Sequence, residues 1–135
     1  MGLSLRFPGQ MIPMVTESIV SDGMIVIVGA ADNACALPGG ASPTVSLLGV
    51  IHRPDGSSAA VGDTVDVIIS GVYPVISAGS ITANNLITSG GTDGTAIAES
   101  AGSGVLVGVL GPALEDGVSG DRVATVINPF IKQGA

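Results

Sequence analysis

The fold is decided by the stretch Gly62-Asp63-Thr64-Val65-Asp66-Val67-Ile68-Ile69-Ser70-Gly71-Val72-Tyr73-Pro74-Val75. A Gly-Asp pair, which suits a tight reversal, precedes two runs rich in β-branched residues, and a glycine separates the runs. Valine and isoleucine fit the pleated surface of a sheet and lose rotamer freedom in a helix. The stretch therefore predicts two consecutive short strands, Thr64–Ser70 and Val72–Ile76.

The same alternation of turns and β-branched runs continues in both directions along the chain. No segment of helical length carries apolar residues at the spacing of a helix face. Short strands between regular turns predict an all-β domain, a small β-barrel or β-sandwich of tulip-like form with an extended N-terminal arm. Six further strands are predicted at Met24–Val28, Val45–Ile51, Ile81–Thr88, Thr95–Ala98, Val105–Leu110 and Arg122–Asn128. Within the third of these, the pair Asn84-Asn85 favours a bend.

A weak internal repeat accompanies this pattern. Gly49-Val50-Ile51 is followed, 13 positions after Gly49, by Gly62-Asp63 and a strand with alternating valines. Gly108-Val109-Leu110 is followed, 12 positions after Gly108, by Gly120-Asp121 and a similar strand. The period of about 58 residues indicates one duplicated structural unit and not a solenoid array. Chance similarity in a chain rich in glycine and valine is the alternative.

The chain has few charges for its apolar content. Of its 135 residues, 46% are hydrophobic and 11% are charged, and the net charge is −7. The mean hydropathy is +0.65. Because a small domain has a large surface for its volume, we expect part of the apolar surface to contact another protein. The alternative is that Ser, Thr, Asn and backbone amides cover the surface adequately.

Composition also excludes several classes of protein. The content of Val, Ile and Leu is too high for a disordered chain. The longest apolar stretches, Met24–Ala31 and Val105–Leu110, are far shorter than the roughly 20 residues of a membrane-spanning helix. Met1–Gln10 lacks the apolar run of a secretory signal. The acidic charge and four scattered basic residues predict no nucleic-acid partner.

The two ends of the chain differ from its middle. We predict an N-terminal arm at residues 1–20, a β domain at 21–128 and a C-terminal tail at 129–135. Proline fixes the backbone φ angle and removes an N–H donor, so the N-terminal segment is predicted to be extended. Because methionine adapts to irregular apolar surfaces, the arm is predicted to anchor in a partner's pocket. The alternative is that the arm folds back on its own barrel. The candidate contacts with a partner or a second copy are Phe7, Met11, Met14 and Phe130.

The residues that could carry chemistry are few. His52 lies near Asp55 and Ser57 in sequence, but a nucleophilic triad needs an oriented Ser–His–acid arrangement, and this segment has the composition of a surface turn. Cys35 is the only cysteine, so an intrachain disulfide is impossible, and His52 and Cys35 are too few for a zinc site. We therefore expect no enzymatic activity, no metal and no cofactor.

The order and spacing of six segments between about Met24 and Ile127 are informative: Gly62-Asp63-Thr64-Val65-Asp66-Val67, Gly71-Val72-Tyr73-Pro74-Val75, Ala78-Gly79-Ser80-Ile81, Gly94-Thr95-Ala96, Gly108-Val109-Leu110 and Gly120-Asp121-Arg122-Val123. In this order and spacing the chain resembles the small capsid-cement, or head-decoration, proteins of tailed bacteriophages. The resemblance departs at Asn84-Asn85, where the family often has Gly-Asp, and at Gly111-Pro112, where many relatives have Ala-Leu.

The resemblance implies a β-rich knob, frequently trimeric, on the outer surface of the phage head. Its partners would be the major capsid protein and further copies of the chain, and it would be made in the host cytoplasm. We therefore expect a virion structural protein that stabilises contacts between capsid subunits. The alternative is another virion β module, such as a tail, baseplate or adhesin component.

Overall fold

The computed structural model describes residues 6–134, which contain strands and turns and no helix. The all-β prediction is confirmed, and a closed five-stranded barrel is present. The strands are β1 Phe7–Pro8, β2 Met11–Thr16, β3 Ile25–Val28, β4 Ala34–Ala36, β5 Leu47–His52, β6 Thr64–Ile68, β7 Gly71–Ile76, β8 Leu86–Ser89, β9 Ala96–Ala98, β10 Leu106–Val109, β11 Gly111–Pro112, β12 Arg122–Ile127 and β13 Phe130–Gln133.

The first half of the chain forms the closed barrel, which we call unit 1. Its strand order is β2-β4-β3-β5-β6. β2 pairs antiparallel with β6 and parallel with β4, β3 pairs antiparallel with both β4 and β5, and β5 pairs antiparallel with β6. Closure of the ring comes from β2, because it bonds β6 on one edge and β4 on the other.

The second half, unit 2, repeats this pairing pattern. β7 pairs antiparallel with β12, and β8 pairs antiparallel with β9 and β11. A parallel bridge joins Ser77 to Ala96, and an antiparallel bridge joins Ala113 to Thr125. These five contacts correspond in order and direction to those of unit 1, so the predicted duplication extends over the whole unit.

The correspondence corrects one detail of the predicted repeat. Gly49 lies opposite Val26 in unit 1, and the residue in the same place in unit 2 is Gly111, opposite Ile87. Gly108 instead lies in β10, outside this position. A Cβ atom on Gly49 would collide with the carbonyl oxygen of Ile68, and one on Gly111 with that of Val126. The close approach of two backbones therefore requires glycine at both equivalent positions.

Three short strands, β1, β10 and β13, lie outside the strand pairs that the two units share. β1 pairs antiparallel with the first residues of β7, and β13 pairs antiparallel with β10. The segment predicted as an arm therefore contributes β1 and the barrel strand β2, which is the fold-back alternative, and the predicted tail contributes β13. Residues 1–5 of the predicted arm and Ala135 of the predicted tail lie outside the described residues.

The apolar interior has two parts. The barrel core fills unit 1, and its buried members are Val20, Val26, Cys35, Ile51, Ala59, Val65 and Val67. The junction core joins the interior of unit 2 to four residues of unit 1: Ile25, Leu47, Val50 and Ile68. In β3, Val26 belongs to the barrel core and Ile25 to the junction core, because successive strand residues point to opposite faces. Unit 1 thus packs an outer face against unit 2.

Candidate docking surface

A polar cluster at the junction of the two units holds the N-terminal strand in place. Asp22 is 4% exposed, and its Oδ1 accepts hydrogen bonds from the Tyr73 hydroxyl and the Arg53 backbone N–H, both at 2.8 Å. Its Oδ2 accepts one from Arg122 Nη1 at 3.2 Å, and Arg6 Nη1 lies 4.0 Å away. The carboxylate therefore joins both units and the residue before β1.

Tyr73 lies at the centre of this cluster, where its ring packs against neighbouring side chains and its hydroxyl donates to Asp22. The Arg6 guanidinium lies 5.4 Å from the centre of its ring, and the His52 ring packs edge-on against it at 5.4 Å. Burial, together with the hydrogen bond to the Asp22 carboxylate and its negative charge, raises the pKa of Tyr73 to about 12. The phenol therefore stays neutral and remains a donor to Asp22 at all ordinary pH values.

The segment around His52 forms a local turn. Ser57 donates both its hydroxyl and its backbone N–H to Asp55 Oδ1, at 2.9 and 3.0 Å, and these bonds lower the pKa of Asp55. The Arg53 guanidinium donates to the Ser57 carbonyl and hydroxyl. The Ser57 hydroxyl thus donates directly to the Asp55 carboxylate, whereas in a catalytic triad a histidine imidazole lies between the serine and the acid. The three side chains do not assemble in the order that this chemistry needs.

The predicted contact residues of the N-terminal segment are placed in different environments. Phe7 lies in β1 opposite Val72 and is 67% exposed. Met11 is 39% exposed on the outer face of β2, which it shares with Val15 at 41%. Met14 is partly buried and packs against the barrel core. Phe7 and Met11 are thus available to a partner, and Met14 contributes mainly to its own barrel.

The last predicted contact residue lies on the antiparallel pair of β10 and β13, which we call the C-terminal ribbon. Phe130 is 39% exposed, and its ribbon neighbours Leu106 and Ile131 are 49% and 50% exposed. Lys132 Nζ donates to Glu99 Oε2 at 2.7 Å, which lowers the pKa of this carboxyl group and fixes β13 to the body of unit 2. Leu106 and Ile131 are not among the contacts predicted from the sequence, although Leu106 stands in the apolar run Val105–Leu110 and Ile131 follows Phe130 directly.

Further apolar side chains are exposed outside these segments. The most exposed are Ile19, Val28, Val61 and Val118, each at 60% or more. No cavity suited to a small molecule opens among residues 6–134. The described part of the chain gathers no group of three side chains able to hold a metal ion. No helix among the described residues is able to cross a membrane.

The arrangement defines an all-β class of protein: a closed five-stranded barrel followed by a second unit of the same pairing pattern, with exposed apolar side chains. No family model and no curated protein matches the chain. Among solved structures, it is similar to the N base of the head fibre gp8.5 of bacteriophage phi29. The two chains are 20% identical and superpose with a TM-score of 0.60, over 88% of this chain and 93% of that chain. At this identity the similarity shows a shared fold.

Proposed function

We propose that the protein is a structural component of a phage virion that binds the outer surface of the head. The observation that carries this proposal is the fold shared with the N base of a phage head fibre over nearly the whole of both chains. The independent resemblance of the segments between Met24 and Ile127 to head-decoration proteins supports the same location.

The physical properties of the surface agree with such a role. A net charge of −7 disfavours contact with packaged DNA and favours an outer position. Exposed apolar residues occur in β1, β2 and the C-terminal ribbon, among them Phe7, Met11 and Phe130. On a symmetric shell, many modest contacts of this kind add up, because each bound copy raises the effective concentration for the next contact.

The finer role that we propose is decoration of the mature shell. In this role each copy contacts neighbouring subunits of the major capsid protein and stabilises their junction. The chain acts without a cofactor and without catalysis. Of the predicted contacts, Phe7, Met11 and Phe130 are exposed and remain candidates, whereas Met14 packs on its own barrel core. Phe7 and Phe130 have the exposed rings that a capsid pocket would receive.

A second candidate role is the base of a head fibre, because the similar structure is the N base of one. In this role the chain would attach a fibre to the head and need not stabilise the shell. The two roles therefore differ in one measurable property, the heat resistance of decorated heads.

The test uses purified protein and empty heads assembled from the major capsid protein of the phage that encodes it. We expect the protein to sediment with the heads and to raise the temperature at which they open. Binding without a gain in heat resistance would favour the base of a fibre. Absence of binding to heads would contradict both roles.

Substitutions then test the candidate contacts. We expect Phe7→Ser and Phe130→Ser to weaken head binding, because each removes an exposed aromatic ring from the proposed contact. Val118→Ser is the matched control, since Val118 is 60% exposed but lies outside the predicted contacts. Equal binding by all three variants would remove Phe7 and Phe130 from the contact surface.

A further inference from the structure

Three directly opposed residues of unit 1 form a continuous apolar row within its contact with unit 2. Ile25 in β3 lies opposite Val50 in β5, and Val50 lies opposite Ile68 in β6. This row of three side chains crosses the outer face of the barrel and is fully buried in the junction core. It is the surface through which one unit docks on the next.

The duplication places an equivalent row on unit 2. Leu86 in β8 lies opposite Pro112 in β11, and the bridge between Ala113 and Thr125 sets Pro112 opposite Val126 in β12. All three residues are apolar, but each is only partly buried. Unit 2 thus carries the docking row of unit 1 without a third unit to cover it.

The surface that receives the first row also has a counterpart. In unit 2, Tyr73, Leu110 and Ile127 are buried in the same junction core as the row of unit 1. The equivalent residues of unit 1, which occupy the same places in β2, in β5 and after β6, are Ile12, Leu48 and Ile69. These three are apolar and partly buried. Unit 1 therefore carries an incompletely covered receiving surface.

We infer that the row Leu86, Pro112 and Val126 of one copy docks on the surface Ile12, Leu48 and Ile69 of a second copy, repeating the packing between the two units within each chain. The occupant is a second copy because the contact continues an interface that this chain already makes with itself. The two surfaces differ, so the contact is head-to-tail, and such contacts form a closed ring when the rotation between copies permits.

The polar part of the internal junction is not repeated between copies. The residue equivalent to Asp22 is Ala83, and those equivalent to Tyr73 and Arg122 are Ile12 and Thr64. The contact between copies therefore depends on apolar burial and lacks the central carboxylate. Moderate salt is accordingly not expected to weaken self-association, because the contact has no counterpart of the Asp22 ion pair to be screened, and salt also screens the repulsion between copies of net charge −7.

The mass of the free protein in solution tests this interface. We expect a concentration-dependent multiple of 13.1 kDa for the unchanged chain. Val126→Asp weakens self-association by about tenfold or more, because a carboxylate would be desolvated in an apolar contact. Val118→Asp is the matched control on a residue outside both surfaces. A monomer at all concentrations, or an unchanged mass for Val126→Asp, would overturn the inference.

Cross-linking tests the head-to-tail geometry without relying on a destabilising change. Pro112→Cys and Ile69→Cys are made in separate chains, and a short bis-maleimide is added to each alone and to their mixture. We expect cross-linked dimers in the mixture and few in either single variant. The buried Cys35 of the unchanged chain supplies the background. Cross-linking of Pro112→Cys alone would indicate a symmetric contact and contradict the inference.

The inference deepens the proposed function, since copies on a head would be associated through this interface, but it is tested without heads. Loss of head binding by a normally assembled protein would refute the function and leave the interface intact. Normal head binding by a chain that is monomeric at all concentrations would refute the interface and leave the proposed function intact.

Discussion

Asp22 is the residue at which the two units and the N-terminal strand are connected. Both of its carboxylate oxygens are used, and its donors come from three separate parts of the chain: Arg53, Tyr73 and Arg122. A buried acceptor of this kind is costly to remove, because its donors then lose their partner without regaining water. The sequence offered no sign of this role, since Asp22 stands in an Asp-Gly pair that predicts only a turn.

The first prediction concerns this carboxylate. We expect Asp22→Ala to lower the free energy of unfolding by about 2–3 kcal/mol, because the Tyr73 hydroxyl and the Arg53 N–H lose their acceptor in a buried place. Urea unfolding measures the change. Asp32→Ala, at an exposed aspartate, is the control and is expected to change stability by less than about 0.5 kcal/mol. Equal effects of the two variants would contradict a central role for Asp22.

The second prediction uses the only tyrosine of the chain, whose ionisation is visible in the ultraviolet spectrum. We expect Tyr73 to titrate near 12 in the folded protein, and Asp22→Asn to lower this pKa part of the way towards 10.0, because burial is the largest cause of the rise. Folding here disfavours the phenolate. The contribution of Tyr73 to stability is therefore complete below pH 10.0 and decreases as the pH rises towards 12. A Tyr73 pKa near 10.0 in the folded protein would disprove this account.

At the scale of elements, the sequence predicted the strands that are rich in Val and Ile and missed those that are not. β4 consists of Ala34, Cys35 and Ala36, which carry no β-branched side chain. β2 was missed because both of its faces are apolar, so Met11–Thr16 shows no alternation of polar and apolar residues. Its strand conformation is imposed by pairing with β6, which is a tertiary contact that the local sequence does not reveal.

The bend at Asn84 shows how the duplication was concealed in the sequence. Asn84 has φ of +77° and Gly23, its counterpart in unit 1, has φ of +84°. Asparagine tolerates the left-handed region better than most residues, so the same turn is kept although its residue type differs between the units. The two backbones match where the sequences no longer do, and sequence comparison therefore recovered only the part of the repeat marked by Gly62-Asp63 and Gly120-Asp121.

The third prediction concerns the equivalent glycines of β5 and β11. We expect Gly49→Ala and Gly111→Ala each to lower the free energy of unfolding by about 1–3 kcal/mol, because the added methyl group meets a backbone carbonyl oxygen. At Gly111, the φ of +146° adds backbone strain to this contact. Thermal and urea unfolding provide the measurement. Gly39→Ala is the control, since no atom lies within 4 Å of its Cβ position. If all three variants were equally stable, the close approach would be absent.

At the scale of the whole molecule, the junction core makes the two units dependent on each other. Unit 1 has a closed barrel of its own, but its row Ile25, Val50 and Ile68 is covered only by unit 2. Separation of the units would expose this row to water, at a cost of about 25 cal/mol for each Å² of apolar surface. The units are therefore expected to unfold together, although unit 1 is a closed barrel and unit 2 repeats its strand pairing.

The fourth prediction follows from this dependence. We expect one cooperative thermal transition, with equal calorimetric and van't Hoff enthalpies. Val67→Ala in the barrel core and Val123→Ala in unit 2 should each shift that single transition, with a loss of about 2 kcal/mol for the buried methyl groups removed. Two resolved transitions, each sensitive to only one of the variants, would indicate independent units.

The thiol of Cys35 is inaccessible to reagents in the folded protein. Its side chain is enclosed in the barrel core, and burial raises the pKa of the thiol, so the reactive thiolate is both scarce and shielded in the native protein. A thiol reagent can then modify the chain only during transient opening of the first barrel. The rate of labelling under native conditions would therefore measure how often the barrel opens. A slower rate on assembled particles would show how strongly attachment restrains that opening.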